Sequence, residues 1–376
     1  MKIVLVVLSL DPQFGAGTAE RTRWLALYLS QVGCKCTIVA LGGTPWLPEL
    51  NAAGIDVYST RYVARRFPIP LPNPITIWRI VRSSDVIHVM GYWYMLAVLV
   101  CQMARIARTP FALCPAGELT PLYRDAPLKK TFYWLFGRRM IRSAALIIAT
   151  TGRERDEILG MDPKPVRITI SPNGIAPSVT PPNCSITLPA TPFILFLGRL
   201  TAIKGPDLLV EAFAKICKTF PDVRLVVAGP DFGLRPELEV RVRNLGLDER
   251  VTFLGFVDEQ SRQHLYQRAA FLVIPSRSEV MSMVALEAAA MGVPVLLTDR
   301  CGFEEVERVG GGLVVPADIA GLAEGLARML NEGSNLPLMG ERLCSFVLTQ
   351  YAWMTVATEL RLQLAKLVSP AKHNGC

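Results

Sequence analysis

Two series of short apolar runs, each alternating with helix-patterned stretches, constrain this 376-residue chain more than any other feature. The first series is Lys2–Leu8, Cys36–Ala40, Val86–Met90, Phe111–Cys114 and Leu146–Ala149. Helical patterns at Ala19–Val32, closed by Gly33, and at Leu128–Arg142 fall between them. The second series is Phe193–Leu197, Arg224–Ala228, Val251–Leu254, Phe271–Ile274, Val293–Leu297 and Leu313–Val315. Helical patterns at Pro206–Phe220 and Ile319–Asn331 fall between those. Near-continuous apolar runs separated by helices predict βαβ units and parallel sheets covered on both faces. Five prolines between Pro177 and Pro192 break the pattern and read as a linker. The expected organisation is therefore α/β, with two doubly wound domains. The first occupies residues 1–176, the linker 177–192, and the second 193–352. A terminal helix and tail fill 353–376, the helix (Trp353–Leu367) being able to pack on either domain.

Composition narrows the partners. A 51% hydrophobic, 19% charged chain buries a real core and is not disordered. Residues 1–175 carry 21 Lys/Arg against 11 Asp/Glu, and residues 176–376 carry 19 against 21. The basic half should face something anionic: lipid headgroups, a phosphorylated substrate or, as the weaker reading, nucleic acid. Nine cysteines without a CxxC pair read as reduced thiols in a cytosolic chain. The opening KIVLVVLSL is read as a first strand and not as a signal-peptide core. The apolar run from Gly91 to Val100 is too short to span a bilayer.

Chemistry gathers after the strands. Glu279 lies in the loop that ends the Phe271–Ile274 run. Glu287 lies more than a turn into a helix that Ser282 would cap and Gly292 would stop. Open α/β sheets bind nucleotides outside the carboxyl ends of their strands, where two carboxylates can accept hydrogen bonds from sugar and ribose hydroxyls. After the first strand of the second domain comes GRLTAIKG. It places Arg199 and Lys204, flanked by Gly198 and Gly205, at a helix N-terminus suited to a diphosphate. The spacing is not that of a P-loop.

Gly15-Ala16-Gly17 holds the corresponding position in the first domain, either as a flexible turn or as a ligand contact. Glu20 stands where a third glycine would complete a dinucleotide fingerprint, and no acid follows the second strand, so NAD binding is not expected. His88, at the end of an apolar run, reads as a structural histidine or as an acceptor contact. His264 and His373 read as structural and terminal. The segment LYRDAPLKKTFYWLFGRRMIRS reads equally as a helix packed on the sheet with a solvated basic face and as a membrane-surface helix for anionic lipid. Phe132, Phe136 and Met140 would share its apolar face. No Ser-His-Asp triad, HExxH helix, Asp-x-Asp pair or metal-ligand cluster is present, so no metal is expected.

Taken together, several segments resemble the retaining glycosyltransferases of family 4, which have the GT-B fold of two facing Rossmann-like domains. They are Pro172-Asn173-Gly174, GRLTAIKG (198–205), VVAGPD (226–231), VTFLGFV (251–257), the Glu279/Glu287 region, TDRCGFEEV, GGGLVVP and YAWMTVATEL. The likeness covers essentially all of the second domain. In the first it rests on the glycine loop, DVIHVMG and the stretch from Pro127 to Thr150.

The resemblance implies that Arg199 and Lys204 bind the donor diphosphate and Glu287 the nucleotide ribose. It implies that Glu279 contacts sugar hydroxyls, with Arg199, Lys204 and Glu279 forming the catalytic set. Val280, Met281, Ser282 and Met283 would offer backbone amides, Gly198 would belong to the donor loop, and Gly15 and Gly17 would approach from the other domain. Closure would expel water from the cleft between the domains. His88 and Glu118 are the acceptor-side candidates. Two departures stand out: Met281-Ser282 replaces the usual aromatic-glycine pair, and Ala116 stands where relatives carry histidine or arginine. The expected reaction is retaining transfer of a sugar from a UDP- or GDP-linked donor to a glycan or lipid-linked acceptor. It would need no cofactor or metal, and would serve cell-surface polysaccharide assembly such as lipopolysaccharide. The protein would be cytoplasmic or peripheral on the cytoplasmic face of the membrane. The alternatives are a GT-B nucleotide-sugar epimerase and a non-catalytic glycan-binding subunit.

Overall fold

A computed structural model of the chain describes residues 1–12, 14–63, 69–119, 127–161, 167–175, 188–189 and 191–368. The expected linker at 177–192 and His373 fall largely or wholly outside the described residues. The chain divides into two compact units. One comprises Met1–Gly174 and the segment from Trp353 onward, and the other is Ile175–Ala352.

The first unit is built on eight strands: β1 (Lys2–Ser9), β2 (Lys35–Leu41), β3 (Asp56–Val63), β4 (Ile69–Leu71), β5 (Val86–Met90), β6 (Phe111–Cys114), β7 (Leu146–Ala149) and β8 (Ile168–Ile170). Their order across the sheet is β4-β3-β2-β1-β5-β6-β7-β8, and all neighbours are parallel except the β3/β4 pair. The central strands β5, β6 and β7 are buried at every position, as strands covered on both faces must be. The sequence reading had no counterpart for β3, β4 and β8. These lie toward the sheet's edges and mix polar and exposed residues with apolar ones, so no continuous apolar run marks them. Pro70 sits in the short edge strand β4, where a missing ladder donor costs least.

The helix read over Leu128–Arg142 is interrupted. An α-turn at Pro127–Phe132 passes through a π-helical segment, Tyr133–Gly137, into Arg138–Ser143. Phe132 and Met140 are buried and Phe136 is half-buried, so this face packs on the unit, as the first of the two readings has it. Gly137 is needed there: a Cβ at that position would lie 2.1 Å from the Tyr92 hydroxyl. The Trp353–Ala365 helix belongs to this unit, packing against the Ala16–Gln31 helix, and the Trp353 indole covers Gly174.

The second unit contains β9 (Phe193–Leu197), β10 (Leu225–Ala228), β11 (Val251–Gly255), β12 (Ala269–Ile274), β13 (Val295–Thr298) and β14 (Gly312–Val315). All pairings are parallel, in the order β11-β10-β9-β12-β13-β14. Numbered within the unit this is 3-2-1-4-5-6, the doubly wound dinucleotide-fold order. Ile175 starts this unit: its N–H donates to the Tyr351 carbonyl at 2.7 Å, and it bridges to Ala352. Among the described residues no helix is long and apolar enough to cross a membrane.

Candidate active site

Strand order in the second unit reverses between β9 and β12, and the loops leaving these two strands face the same crevice position of such a sheet. The loop after β9 runs Gly198–Gly205, turns through a 3-10 segment at Ala202–Lys204, and enters the helix Pro206–Ile216. Gly205 sits at φ +68°, and a Cβ there would fall 2.1 Å from the Pro275 carbonyl oxygen. Only glycine lets this loop lie against the end of β12.

The two loops are then cross-braced. The Arg277 backbone N–H donates to the Ile203 carbonyl at 2.8 Å. Its guanidinium grips both oxygens of Asp207, at 2.8 and 2.5 Å. This fork-to-carboxylate pair holds the Asp207 acid below the usual carboxylate range despite its partial burial, and pushes the Arg277 guanidinium up.

That bracing delivers Lys204 to Glu279. Lys204 Nζ donates to Glu279 Oε1 at 2.7 Å, and Ser276 Oγ donates to Oε2 at 3.0 Å. The Glu279 N–H is itself held by the Arg300 carbonyl at 2.9 Å. The side chains are 22% and 13% exposed, so the pair is sheltered yet open to a ligand. A sheltered ammonium beside a carboxylate can exchange that partner for a phosphate oxygen while the carboxylate takes up sugar hydroxyls.

Arg199 is not part of this pair. It is exposed, with its guanidinium over the Phe232 ring at 5.6 Å. Glu287 projects from the helix Met283–Ala290, whose N-cap is Ser282: the Ser282 hydroxyl accepts from the Ala285 N–H at 3.3 Å. Tyr266 donates to Glu287 Oε2 at 2.9 Å and Arg262 Nε approaches the same oxygen at 3.3 Å. Sequence reasoning missed Tyr266, Arg262, Arg277 and Ser276, although the i,i+4 spacing of Arg262 and Tyr266 marks a common helix face.

The Met281-Ser282 departure has a structural reading. Met281 is buried in the core of this unit, and Ser282 is spent as the helix cap. Both side chains are therefore buried.

In the first unit the picture differs. Gly15 is packed so closely that a Cβ would sit 2.3 Å from the Ser9 carbonyl, whereas Gly17 is exposed with open space around it. His88 lies mid-strand in β5, between Leu5 of β1 and Ala112 of β6, and is fully buried. Burial, aided by the Arg21 charge, lowers its pKa to about 3, which keeps the ring neutral. This core position stands against the acceptor contact expected of it. The Glu118 carboxylate accepts the backbone N–H groups of Tyr92 (2.5 Å) and Trp93 (3.0 Å), and Trp93 Nε1 donates back to the Glu118 carbonyl. Its chemistry as found is to fasten the loop after β5.

Two further buried charges were not foreseen. Arg21, 3% exposed, donates to the carbonyls of Ser171 and Pro172 and to Asn173 Oδ1, all at 2.7–2.8 Å, so the Pro172-Asn173-Gly174 segment is clamped from the Ala16–Gln31 helix. Glu154, 2% exposed, accepts from Gly117 N, Thr150 N and Thr150 Oγ1, each at 2.6 Å. Among the described residues no group of three or more His, Cys, Asp or Glu side chains could hold a metal ion.

With two such sheets and a Lys/Glu pair at a switch point, the comparison with known proteins is direct. Residues 188–342 match the family described as Glycosyl transferases group 1, and residues 16–174 match the Glycosyl transferase 4-like domain. The chain belongs to the group 1 glycosyltransferases and has the GT-B fold. An uncharacterized glycosyltransferase of Methanocaldococcus jannaschii is 28% identical over 391 residues, covering 96% of each chain. The structure of Anabaena Alr3699/HepE in complex with UDP superposes with a TM-score of 0.79 at 18% identity, covering 97% of this chain and 100% of that one. WaaG, described as a glycosyltransferase involved in lipopolysaccharide biosynthesis, superposes at 0.67 with 17% identity over 99% of this chain and 100% of its own.

Proposed function

We propose that this glycosyltransferase moves a sugar from a nucleotide-diphosphate-sugar to a glycan or lipid-linked acceptor with retention at the anomeric carbon, without a metal. The observation that carries the proposal is the Lys204–Glu279 pair, presented at the switch point of a 3-2-1-4-5-6 sheet with Glu287 on the following helix. Alr3699/HepE was solved with UDP and with UDP-glucose, which supports a donor of that chemical class here.

In the reaction the bond between the anomeric carbon and the diphosphate oxygen breaks, and its electron pair goes to the phosphate. Lys204 and Arg199 stabilise that growing charge, a role for which fixed cations at a helix N-terminus are suited. The acceptor hydroxyl forms the new bond on the same face of the sugar and gives its proton to the departing phosphate. Glu279, released by Lys204 to the phosphate, holds sugar hydroxyls together with Ser276, and the attacking group in this reading is the acceptor hydroxyl itself. The test is thermal protection by a panel of UDP- and GDP-sugars, since a ligand bound only to the folded state raises its melting temperature. One or more should protect; protection by none would overturn the donor assignment.

Cell-surface polysaccharide assembly at the cytoplasmic face of the membrane is the proposed setting, in keeping with the lipopolysaccharide role stated for WaaG. Leu128, Trp134 and Leu135 are 64–69% exposed beside Lys130, Arg138 and Arg139, the pattern of an interfacial anchor for anionic lipid. Sedimentation with anionic vesicles but not with neutral ones is expected. Equal recovery from both would remove the membrane contact from the proposal.

A further inference from the structure

We infer that Tyr266 and Arg262 are positioning residues that set the carboxylate of Glu287 for the hydroxyls of the donor's ribose. The inference rests on the reading of Glu287 as the ribose-binding acid. Both residues lie on the helix Glu259–Arg268, one turn apart on the same face, directly before β12. Glu287 lies on the helix that follows β12. The β12 strand is therefore flanked by the helix that carries the acid and the helix that orients it.

The geometry is specific. Tyr266 Oη lies 2.9 Å from Glu287 Oε2 and 3.4 Å from the Val284 carbonyl. A phenol has one proton to give, and the shorter contact to an ionised acceptor is the stronger one. Arg262 Nε reaches the same oxygen at 3.3 Å. The terminal torsion of a glutamate is broad and roughly two-fold, so an isolated carboxylate samples many planes. Two donors on one oxygen select a plane, which two adjacent ribose hydroxyls require for simultaneous bonding.

The arrangement is also rigid. Tyr266 is 1% exposed and belongs to the same buried cluster as Leu265, Ala285, Leu286 and Ala289. Burial, reinforced by the neighbouring Glu287 charge, pushes its pKa well above the usual tyrosine value, so it stays a donor at any working pH. Arg262 is one-third exposed and Glu287 one-fifth, so the acid is charge-balanced without being sealed from a ligand. Neither Tyr266 nor Arg262 need touch the nucleotide; both act through Glu287.

The test measures affinity by calorimetry for UDP and GDP, each beside its 2′,3′-dideoxy counterpart, in wild type, Tyr266→Phe and Arg262→Gln. Tyr266→Phe keeps the buried ring and deletes only the hydroxyl. For the nucleotide that wild type binds, Tyr266→Phe should weaken the ribose form by about tenfold and leave the dideoxy form within about twofold. Arg262→Gln, on a more exposed side chain, should show the same pattern at smaller size and serves if Tyr266→Phe fails to fold. Equal losses for both forms would mean a purely structural role and overturn the inference. Unchanged binding in both variants, with Glu287→Gln still selective against the ribose form, would overturn it and leave the ribose reading intact. A wild-type protein that binds ribose and dideoxy forms equally would overturn both together.

Discussion

The two units share one strand order around their centres and put their charges to opposite uses. In the second unit, the loops leaving β9 and β12 present Lys204 and Glu279 at 22% and 13% exposure, held by Arg277, Asp207 and Ser276. In the first unit, the titratable groups on β5 and on the helices that follow β1 and β7 are buried. Arg21, His88 and Glu154 are at most 3% exposed, and Glu118 is bonded to backbone N–H groups. A topology supplies a place for a site, and what a charge does there depends on whether its partners are other side chains or the protein's own backbone. Where the backbone takes the bonds, as with Arg21 and Glu154, the charge shapes loops. Where another charge takes them, as with Lys204, a ligand can compete.

The largest expected effect on stability is at Arg21. Arg21→Ala leaves the carbonyls of Ser171 and Pro172 and the Asn173 amide without their donor, the first at a buried site and the other two at half-buried ones. A loss of about 2–3 kcal/mol in denaturant melts is expected, from the lost fork and the unpaired Ser171 carbonyl. Arg21→Lys should recover little of it, because an ammonium lacks the planar fork that serves three acceptors. At the partly open pair of the second unit the balance reverses. Lys204→Ala should lower kcat about 10²–10³-fold while the melting temperature moves by only a few degrees, the magnitude lost when one preorganised cationic donor is removed from a reacting oxyanion. A variant with near-wild-type turnover would strip Lys204 of its diphosphate role.

How much of this the sequence disclosed follows the same division. The candidate site in the second unit could be proposed from the sequence because its residues sit in continuous local patterns: a strand, a glycine-flanked cationic loop, a capped helix with an acid one turn in. The core strands were legible for the same reason, being unbroken apolar runs. Edge strands β3, β4 and β8 were not, because their alternation of exposed polar and apolar residues carries no such signal. Arg21 and Asn173 are 152 positions apart, and Lys204 and Glu279 are 75, so pairings of this kind exist only in three dimensions. The lone histidine in an apolar run allowed two readings, and complete burial of His88 favours the structural one. The Arg199 contact with Phe232 was likewise beyond reach, since it joins two loops from different strands.

His88 gives the next-largest effect, and its sign is fixed by burial. The folded pKa is lowered to about 3, while an unfolded histidine titrates near 6.5. Below pH 6.5 the unfolded chain therefore binds more protons than the folded one, and stability falls with falling pH until about pH 3. Between pH 7.5 and 5 the loss attributable to this one ring is about 2 kcal/mol. His88→Leu should flatten that limb of the stability profile. It should be neutral or stabilising at pH 7.5, because both ring nitrogens lack a hydrogen-bond partner among the described residues. A wild-type profile with no slope across this window would show that the ring is not kept neutral by the fold.

The smallest effect concerns backbone strain, and here too the two units contrast. Ala116, in the loop after β6, is held at φ +52°, a left-handed conformation in which a Cβ crowds the following carbonyl. The loop cannot relax, because the adjacent Gly117 N–H is tied to buried Glu154 and the Glu118 N–H to the Pro115 carbonyl. Gly205 in the second unit holds a similar φ of +68°, but there the residue is already glycine and a Cβ would strike the Pro275 carbonyl. Ala116→Gly should therefore stabilise. Relief of the left-handed strain, about 1–2 kcal/mol, is partly offset by the greater freedom glycine gives the unfolded chain, leaving roughly 0.5–1 kcal/mol. The corresponding rise in melting temperature is about 1–4 °C. Gly205→Ala should do the reverse, and more strongly, since steric contact with Pro275 adds to the conformational cost. If Ala116→Gly and Gly205→Ala changed stability by equal and opposite amounts, strain alone would govern these loops. A larger cost at Gly205 would show that close packing of the loop after β9 on the end of β12 is what glycine secures there.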